Sequence, residues 1–501
     1  MARTFLIALF VLTFVFLAAP PCVFAQNNDW SVSAANWMQY WYHRPEPFDS
    51  LNYTDHQSRQ DSLDNRFTVD FNFGNFYAGA WLRTFEPNLN TNSYERLTQR
   101  YLGWHENGLT IHAGNFYQTF DRGLTLNAFL DDAVYFDNNL DGVKVSGKYD
   151  TYDFDAISAR GLQFGANGLT SEERVYILRG VRGAVKPFPG LKTGFSFVRF
   201  KQDSGDITDL SDNSNITSVN AQVNRGSFDF YGEYAFRNGR DPGDVKVSGD
   251  ATYASGSLSH SIFSIYMEYI NTINLLYPGP IGPFNTPPPV SHSGRSLASR
   301  ALDNGERAYQ IGTLLSPISE LNFDISFSES YSRHKINRHH LGERYVGMRA
   351  NPIEKLVVNA HWDRFDYTLE DEVENYYDGY FYLSSSQTVS FAAYTRRFWP
   401  GGPDYHEDYL SLGYSRGSLL QFNIGGSISN FRDRNKDPET GAFPPNSDPK
   451  KLGYVEVTFH FKSNDLVVFQ GGERGGLVCS SGICSVRPTF QGTRVMLFSR
   501  F

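Results

Sequence analysis

The chain has 501 residues, of which 40% are hydrophobic, 16% aromatic and 20% charged. This composition excludes a disordered chain, which is poorer in apolar residues, and a long coiled coil, which is richer in charged ones. The 54 acidic and 45 basic residues give a formal net charge of −9, which argues against a nucleic-acid binder. The 41 Phe, 30 Tyr and 44 Gly beside only 5 Met favour strands and turns over helices.

The first 25 residues have the layout of a secretory signal peptide. Arg3 precedes an apolar run from Phe5 to Ala19, and Val23-Phe24-Ala25 then offers small residues at the cleavage site. An uncleaved anchor helix fits less well, because the run is only about 15 residues long. We therefore expect cleavage after Ala25. Since no later stretch of about 18 apolar residues occurs, a bundle of membrane-spanning helices is excluded.

Alternation of apolar and polar residues recurs along the rest of the chain. It is complete in Phe67–Phe73, Leu321–Ser328 and Val455–Phe461. A period of two predicts strands with one apolar and one polar face. We predict that residues 26–501 form one all-β domain, a transmembrane antiparallel β-barrel of about 24 strands, give or take two. A barrel of this size consumes the whole mature chain and leaves no separate plug domain.

Short turns and long connections alternate between the predicted strands. Asn107-Gly108 is typical of a two-residue hairpin. Further tight turns are predicted at 74–75, 150–151, 187–190, 225–226, 316–317, 351–352, 416–417 and 464. Longer loops are predicted at 44–63, 119–141, 161–171, 203–213, 271–307, 432–451 and 479–484. This alternation is typical of outer-membrane barrels and distinguishes them from soluble β-sandwiches.

The end of the chain and two internal stretches carry a resemblance. Thr493–Phe501 finishes as a strand with a terminal Phe, which resembles the signal that outer-membrane barrel insertion machinery reads. Residues 114–143 and 475–488 resemble an uncharacterised family of porin-like outer-membrane β-barrel proteins. The resemblance implies a barrel in the cell outer membrane of a Gram-negative-type bacterium, in contact with outer-membrane lipid and lipopolysaccharide, and it implies no particular substrate.

The loop 119–141 is the first candidate for a functional site. It is too apolar and aromatic for a free surface loop, so we expect it to pack against something. A barrel of this size has a lumen wide enough to need narrowing. We predict that the loop folds inward and places four charged residues at a pore constriction: Asp121, Arg122, Asp131 and Asp132. The alternative is an external lid or a loop that binds a partner.

The segment Asp137–Gly142 resembles the opening of a calcium loop, with oxygen ligands at Asp137, Asn139 and Asp141. The closing glutamate is missing, because the twelfth position is Lys148. Asp and Asn are also common turn residues. Calcium is therefore a weak candidate, and we predict no metal and no cofactor.

Two cysteines, Cys479 and Cys484, remain in the mature chain. They are separated by four residues that include a flexible Ser-Ser-Gly. In the oxidising compartment that export implies, this spacing favours a disulfide. Zinc binding is disfavoured, because no nearby His or Cys completes a set of four ligands.

Two further loops have unusual composition. His334, His339 and His340 lie among Arg333, Lys335 and Arg338, so a solvated basic loop that contacts anionic lipid or polysaccharide is favoured over a metal site. The loop 271–307 is rich in proline, which predicts a semi-rigid external cover. Ser and His are scattered without a catalytic arrangement, so we predict that the protein is not an enzyme.

Two functions remain open from the sequence. The first is a porin-like channel for passive or selective diffusion of small hydrophilic solutes, constricted by loop 119–141. The second is a surface-binding or structural barrel whose external loops contact glycan, lipid or protein partners. A plug-bearing TonB-dependent transporter fits less well, because strand-like sequence begins at Trp30 and leaves no room for the plug.

Overall fold

The computed structural model describes residues 30–43, 61–86, 94–131, 136–161, 175–203, 213–241, 245–277, 283–294, 305–333, 339–368, 370–400, 405–429, 450–473, 476–480, 483–487 and 490–501. In this part of the chain, no helix has the length and apolar character needed to cross a membrane.

The described residues form strands in the following order. They are β1 (Trp30–His43), β2 (Asp61–Phe73), β3 (Phe76–Glu86), β4 (Tyr94–Glu106), β5 (Leu109–Phe116), β6 (Gln118–Thr119), β7 (Asn127–Ala128), β8 (Leu130–Asp131), β9 (Phe136–Asp137), β10 (Leu140–Lys148), β11 (Tyr152–Gly161), β12 (Val175–Phe188), β13 (Leu191–Asp203), β14 (Asn213–Arg225), β15 (Phe228–Asp241), β16 (Val245–Ser259), β17 (Phe263–Ile273), β18 (Glu306–Ile318), β19 (Leu321–Ser332), β20 (His340–Ile353), β21 (Leu356–Tyr367), β22 (Glu370–Ser384), β23 (Gln387–Pro400), β24 (Tyr405–Arg416), β25 (Leu420–Ser429), β26 (Lys450–Phe461), β27 (Asn464–Glu473), β28 (Gly476–Ser480), β29 (Ile483–Arg487) and β30 (Phe490–Arg500).

The long strands form one closed antiparallel sheet of 24 strands. The sheet closes because β1 pairs with β2 on one side and with β30 on the other, so that Trp37 faces both Arg66 and Phe498. Six short strands lie outside the wall, in the connection between β5 and β10 and in that between β27 and β30. The predicted all-β antiparallel barrel of about 24 strands, without a separate plug in the described residues, is confirmed.

The two faces of the wall differ in polarity. On β15, Glu233 and Arg237 are buried on one face, whereas Tyr234 and Phe236 are 47% and 42% exposed on the other. Val219 in the neighbouring strand is 57% exposed on that same apolar face. Period-two alternation therefore separates the wall into a polar face and an apolar face, as the sequence pattern predicts.

The short turns gather at one end of the barrel. Asn107 and Gly108 both have positive φ, 49° and 83°, as a type I′ hairpin turn requires. The other short turns occupy 74–75, 149–151, 189–190, 226–227, 260–262, 319–320, 354–355, 385–386, 417–419 and 462–463. The strand ends that the longer connections join lie at the opposite end, so the predicted alternation holds along the described strands.

Three turns that the sequence predicts at prolines begin later in the chain than predicted, by two or three residues. The strands run on to Phe188, Ile318 and Ile353, and the turns follow at 189–190, 319–320 and 354–355. In each hairpin the register shifts just before the turn. A bulge accepts proline because its position needs no backbone N–H donor, so the strand continues beyond the residue that reads as a strand breaker.

Candidate functional site

The described residues of the connection between β5 and β10, which are 117–131 and 136–139, pack against the wall. Phe120, Leu124 and Leu126 are fully buried. They belong to the same apolar cluster as Leu178 and Phe200, which lie in β12 and β13. Leu178 points to the same side of its strand as Arg182 does, so this apolar patch lies on the polar face of the wall. The connection therefore covers that face next to β12 and β13.

Asp121 has a well-defined partner in the wall. Its Oδ1 accepts a hydrogen bond from Nε of Arg182 at 2.8 Å, and the two side chains are only 5% and 14% exposed. Arg182 also contacts Asp153, and its Nη1 lies 3.3 Å from Oδ2 of Asp155. Nζ of Lys192 lies 2.8 Å from Oδ2 of Asp153. Asp121 thus fixes the connection to the wall through a buried network of charges.

Arg122 is exposed, but its surroundings are ordered. Its backbone N–H donates to Oε2 of Glu233 at 3.4 Å, and its guanidinium lies 5.0 Å from the centre of the Tyr231 ring. Tyr231 donates to the same Oε2 at 2.7 Å. Glu233 is only 3% exposed. The backbone at Arg122 is therefore held by a buried carboxyl group, while its side chain offers a cation at the surface of the connection.

A chain of hydroxyl groups joins the same connection to two strands. Oγ1 of Thr125 lies 2.8 Å from Oγ of Ser196 in β13, and that oxygen lies 2.8 Å from Oγ of Ser218 in β14. All three side chains are fully buried. Each hydroxyl can donate and accept, so the chain satisfies buried polar atoms and adds directional contacts to the apolar packing.

The other two predicted constriction residues come later in the connection. Asp131 is half-buried in β8, where the register pairs it with Phe136 of β9. Asp132 lies outside the described residues. The structure thus places Asp121, Arg122 and Asp131 on one connection, with Asp121 ion-paired to the wall and Arg122 exposed.

A second connection, between β17 and β18, packs on the first. Nδ2 of Asn285 donates to the carbonyl oxygen of Leu124 at 2.9 Å. The backbone N–H of Asn127 donates to the carbonyl oxygen of Phe284 at 2.7 Å. Phe284 and Asn285 are fully buried. The loop 271–307 was predicted to form an external cover, and for residues 283–294 that prediction is wrong. Aromatic and amide side chains between the prolines give these residues partners in the wall and in the first connection.

Two wall residues anchor this second connection. Nη1 of Arg237, in β15, donates to the carbonyl oxygen of Leu276 at 2.7 Å. The carboxylate of Glu343, in β20, accepts hydrogen bonds from the backbone N–H groups of His292 and Ser293 at 2.8 and 2.9 Å. Sequence reasoning missed both anchors, together with Arg182 and Glu233. Their only signal is a charge on the polar side of a strand, and nothing in the sequence pairs that charge with a connection many residues away.

The polar face of β19–β24 is acidic. Strand register places on this face the carboxyl groups of Asp324, Glu343, Asp363, Glu372, Glu374, Asp378 and Glu407, together with the guanidinium groups of Arg349 and Arg396. Arg396 pairs with Glu374 and lies 3.1 Å from Oε1 of Glu372. The carboxylates exceed the cations here, so this part of the wall has a negative potential.

Asp137 is held by hydrogen bonds. Its Oδ1 accepts from Oη of Tyr117 at 3.0 Å and from the backbone N and Nδ2 of Asn139 at 3.2 Å each. Burial raises the pKa of Asp137 above its usual range. Asp141 lies 3.8 Å from Arg100 and alternates in β10 with the buried Leu140. Among the described residues, no three acidic, His or Cys side chains group as a metal site would require.

The remaining predicted residues lie in the connections or at a strand end, since His340 is the first residue of β20. His339 stacks on Tyr367 with ring centres 6.1 Å apart, and His340 contacts Glu329, whereas His334 lies outside the described residues. Cys479 and Cys484 are directly opposite each other in the β28–β29 hairpin. Residues in that relationship have Cα atoms about 4.5–5.5 Å apart, within the span of a disulfide. The disulfide itself stays a prediction.

Comparison with known proteins gives a family and a fold. Residues 1–276 match a family described as a family of unknown function, DUF6029. A search of curated proteins found no match. Among solved structures, the chain is similar to a P pilus tip assembly intermediate of E. coli, PapC-PapD-PapK-PapG, with a TM-score of 0.50 and 10% identity over 96% of this chain and 62% of that one.

Two other solved structures align more loosely. The siderophore receptor PirA from Pseudomonas aeruginosa has a TM-score of 0.48 and 7% identity over 95% of this chain and 81% of that one. OccK3 (OpdO), also from Pseudomonas aeruginosa, has a TM-score of 0.43 and 12% identity over 69% of this chain and 93% of that one. At such identities the likeness concerns the fold alone.

Proposed function

We propose that this chain, which belongs to the DUF6029 family, is an outer-membrane channel through which small hydrophilic solutes diffuse. One observation carries the proposal: the barrel is closed, with an apolar face that is exposed and a polar face that two connections cover. A closed barrel satisfies all strand hydrogen bonds without water, so it can stand in lipid with its apolar face outward. The polar face then lines an aqueous lumen.

The exposed apolar face supports a place in the membrane. Met267 and Val219 are 61% and 57% exposed there. Phe73, Phe76 and Phe188, each 52% exposed or more, flank short turns. Outer-membrane barrels carry aromatic girdles where the wall meets the lipid headgroups, and these rings suit such a girdle at the short-turn end. Outer-membrane lipid and lipopolysaccharide are the partners we propose for this face, and the barrel insertion machinery is the proposed partner of the last strand.

The loop 119–141 is the proposed constriction. The contacts of Asp121 with Arg182, of Arg122 with Glu233 and of Thr125 with Ser196 support an inward position, because these wall residues lie on the polar face. The second connection, through Asn285, widens the same obstruction. Solutes would then pass along the remaining part of the lumen, beside β19–β24. We also propose that residues 1–25 are removed before the barrel inserts.

Cations should pass more readily than anions through this lumen. The carboxylates on the polar face of β19–β24 outnumber the arginines. Potential from fixed charges is screened less in a confined lumen than on an open surface, and acidic rings select cations. The substrate class that follows is small, hydrophilic, and neutral or cationic.

Purified protein in planar bilayers tests the proposal. We expect discrete single-channel conductance, which decreases when neutral solutes small enough to enter are added and recovers with solutes too large to enter. A barrel that migrates differently on electrophoresis before and after boiling, and so is folded, but that does not conduct would overturn the channel. The surface-binding or structural barrel would then be the better description.

A further inference from the structure

Two buried carboxyl oxygens have no hydrogen-bond partner where the first connection meets the wall. They are Oδ2 of Asp121 and Oε1 of Glu233. The other oxygen of each group is occupied: Oδ1 of Asp121 accepts from Arg182, and Oε2 of Glu233 accepts from Tyr231. An unsatisfied oxygen on an ionised, buried group is costly, so two of them at one contact call for an explanation.

The two groups are neighbours. The residue that follows Asp121, Arg122, donates its backbone N–H to Glu233 at 3.4 Å. The carboxylate of Asp121 also interacts electrostatically with that of Glu233. Two like charges that interact at buried positions disfavour joint ionisation. A single proton removes the conflict, because the protonated group gains a donor that the other group can accept.

We propose that Glu233 carries a proton that it donates to Asp121, and that Glu233 is thereby the positioning residue that holds the constriction loop to the wall. The inference rests on the proposed channel function. The proton sits on Oε1 of Glu233, which donates to Oδ2 of Asp121, and both unsatisfied oxygens are used by one bond. When the pH rises, the proton passes to solvent water and leaves two adjacent carboxylates that repel each other.

The charged and titratable groups around the pair are few. On the connection they are Asp121 itself and Arg122, and on the wall they are Arg182 of β12, Tyr231 of β15, Tyr253 of β16 and Glu268 of β17. Arg182 is shared with Asp153 and Asp155. Arg122 lies over Tyr231 and is exposed. The hydroxyl of Ser218 also interacts with Glu233.

If Glu233 holds the loop through its proton, single-channel conductance should depend on pH in a way that other wall residues would not produce. In the wild type, single-channel conductance should rise in one titration step as the pH is raised, because the loop is released. Glu233→Gln should stay at the low conductance at every pH, since its amide N–H donates permanently to Asp121 and its carbonyl oxygen still accepts from Tyr231. Glu233→Ala should show the high conductance at every pH. Asp229→Asn, at the short-turn end of the same strand, where Asp229 accepts from Gln222 and Asn224, should keep the wild-type step.

A second measurement reads the proton directly. The infrared band of protonated carboxyl groups in the folded barrel in detergent should be weaker by one group in Glu233→Gln than in the wild type, and unchanged in Asp229→Asn. Equal pH dependence of conductance in wild type and Glu233→Gln, or equal infrared bands, would overturn the proposed proton on Glu233. If no variant conducts but the infrared difference is found, the channel function fails and the proton on Glu233 stands.

Discussion

Oγ1 of Thr125 and Oγ of Ser196 lie 2.8 Å apart, although 70 residues separate them in the chain and both side chains are fully buried. This contact can be turned into a covalent test of where the constriction loop lies. Thr125→Cys with Ser196→Cys places two sulfur atoms where the two oxygens touch, so we expect a disulfide to form with little movement. Mass spectrometry of the non-reduced protein should detect it in barrels extracted from membranes.

The matched control keeps one of the new cysteines and moves the other. Thr125→Cys with Ser390→Cys, on β23, should remain reduced, because Ser390 lies on the polar face of another part of the wall. Both pairs are made in a Cys479→Ser, Cys484→Ser background to avoid exchange. Equal crosslinking of the two pairs, or none in either, would place the loop elsewhere and remove the structural basis of the constriction.

Arg182 should be the most costly single charge to remove from this site. Arg182→Ala leaves Asp121 and Asp153 without their shared cation, and loss of one partner of a buried ion pair costs about 3–5 kcal/mol. The temperature at which the barrel loses its folded mobility on electrophoresis should fall clearly. Arg100→Ala removes the exposed contact with Asp141, at 3.8 Å and 69% exposure, so it should cost less than about 1 kcal/mol. Similar losses in both variants would contradict a buried anchor at Arg182.

Local pattern explains why the wall could be predicted from the sequence. Each strand carries its own alternation and each hairpin its own turn residues, as at Asn107-Gly108, so the evidence for the barrel is contained within a few neighbouring positions. The prolines at 187, 317 and 352 misplaced three turns, because a bulge depends on the partner strand and has no local signature.

The site was harder to predict, because its contacts join distant positions. The apolar composition of 119–141 indicated that the loop must pack, and Phe120 and Leu124 are buried. Nothing local indicated that Asp121 would pair with Arg182, or that Asn285 would bind the backbone at Leu124. Which charge faces which loop depends on how the strands are arranged around the closed barrel, and no local stretch of sequence carries that information.

Cys479 and Cys484 should form a disulfide in exported protein. The register that pairs them across β28 and β29 suits the geometry of a bridge. Because the closed loop is short, replacing both with Ser should lower stability by about 2 kcal/mol or less. Alkylation of the protein under non-reducing, denaturing conditions, followed by mass spectrometry, should find both thiols protected. Two freely alkylated thiols would show that the hairpin is not bridged.

Asp137 should make stability depend on pH. Burial raises its pKa in the folded protein, so the folded state holds the proton more tightly than the unfolded chain does. The stabilisation is complete below the unfolded value of about 3.9 and is lost as the pH rises through the raised value. Asp137→Asn keeps the oxygen that accepts from Tyr117 and Asn139 but cannot ionise. The variant should gain thermal stability relative to the wild type as the pH approaches neutral. Calcium should change the thermal stability of neither protein. Stabilisation of the wild type alone by calcium would instead favour the metal site.

The constriction itself is tested by removing its charge and its bulk separately. Replacing Asp131 and Asp132 with Asn should lower the preference for cations, which the reversal potential in a salt gradient measures, without unfolding the barrel. Asp141→Asn, in β10 beside the exposed Arg100, is the control and should leave the reversal potential unchanged. Deletion of 124–136 removes Leu124 and Leu126 from the packed cluster, so the single-channel conductance should increase. A carboxylate at a narrowing acts on every passing ion, because counterions screen it less there than on an open surface. Unchanged conduction after both alterations would show that this loop does not narrow the pore.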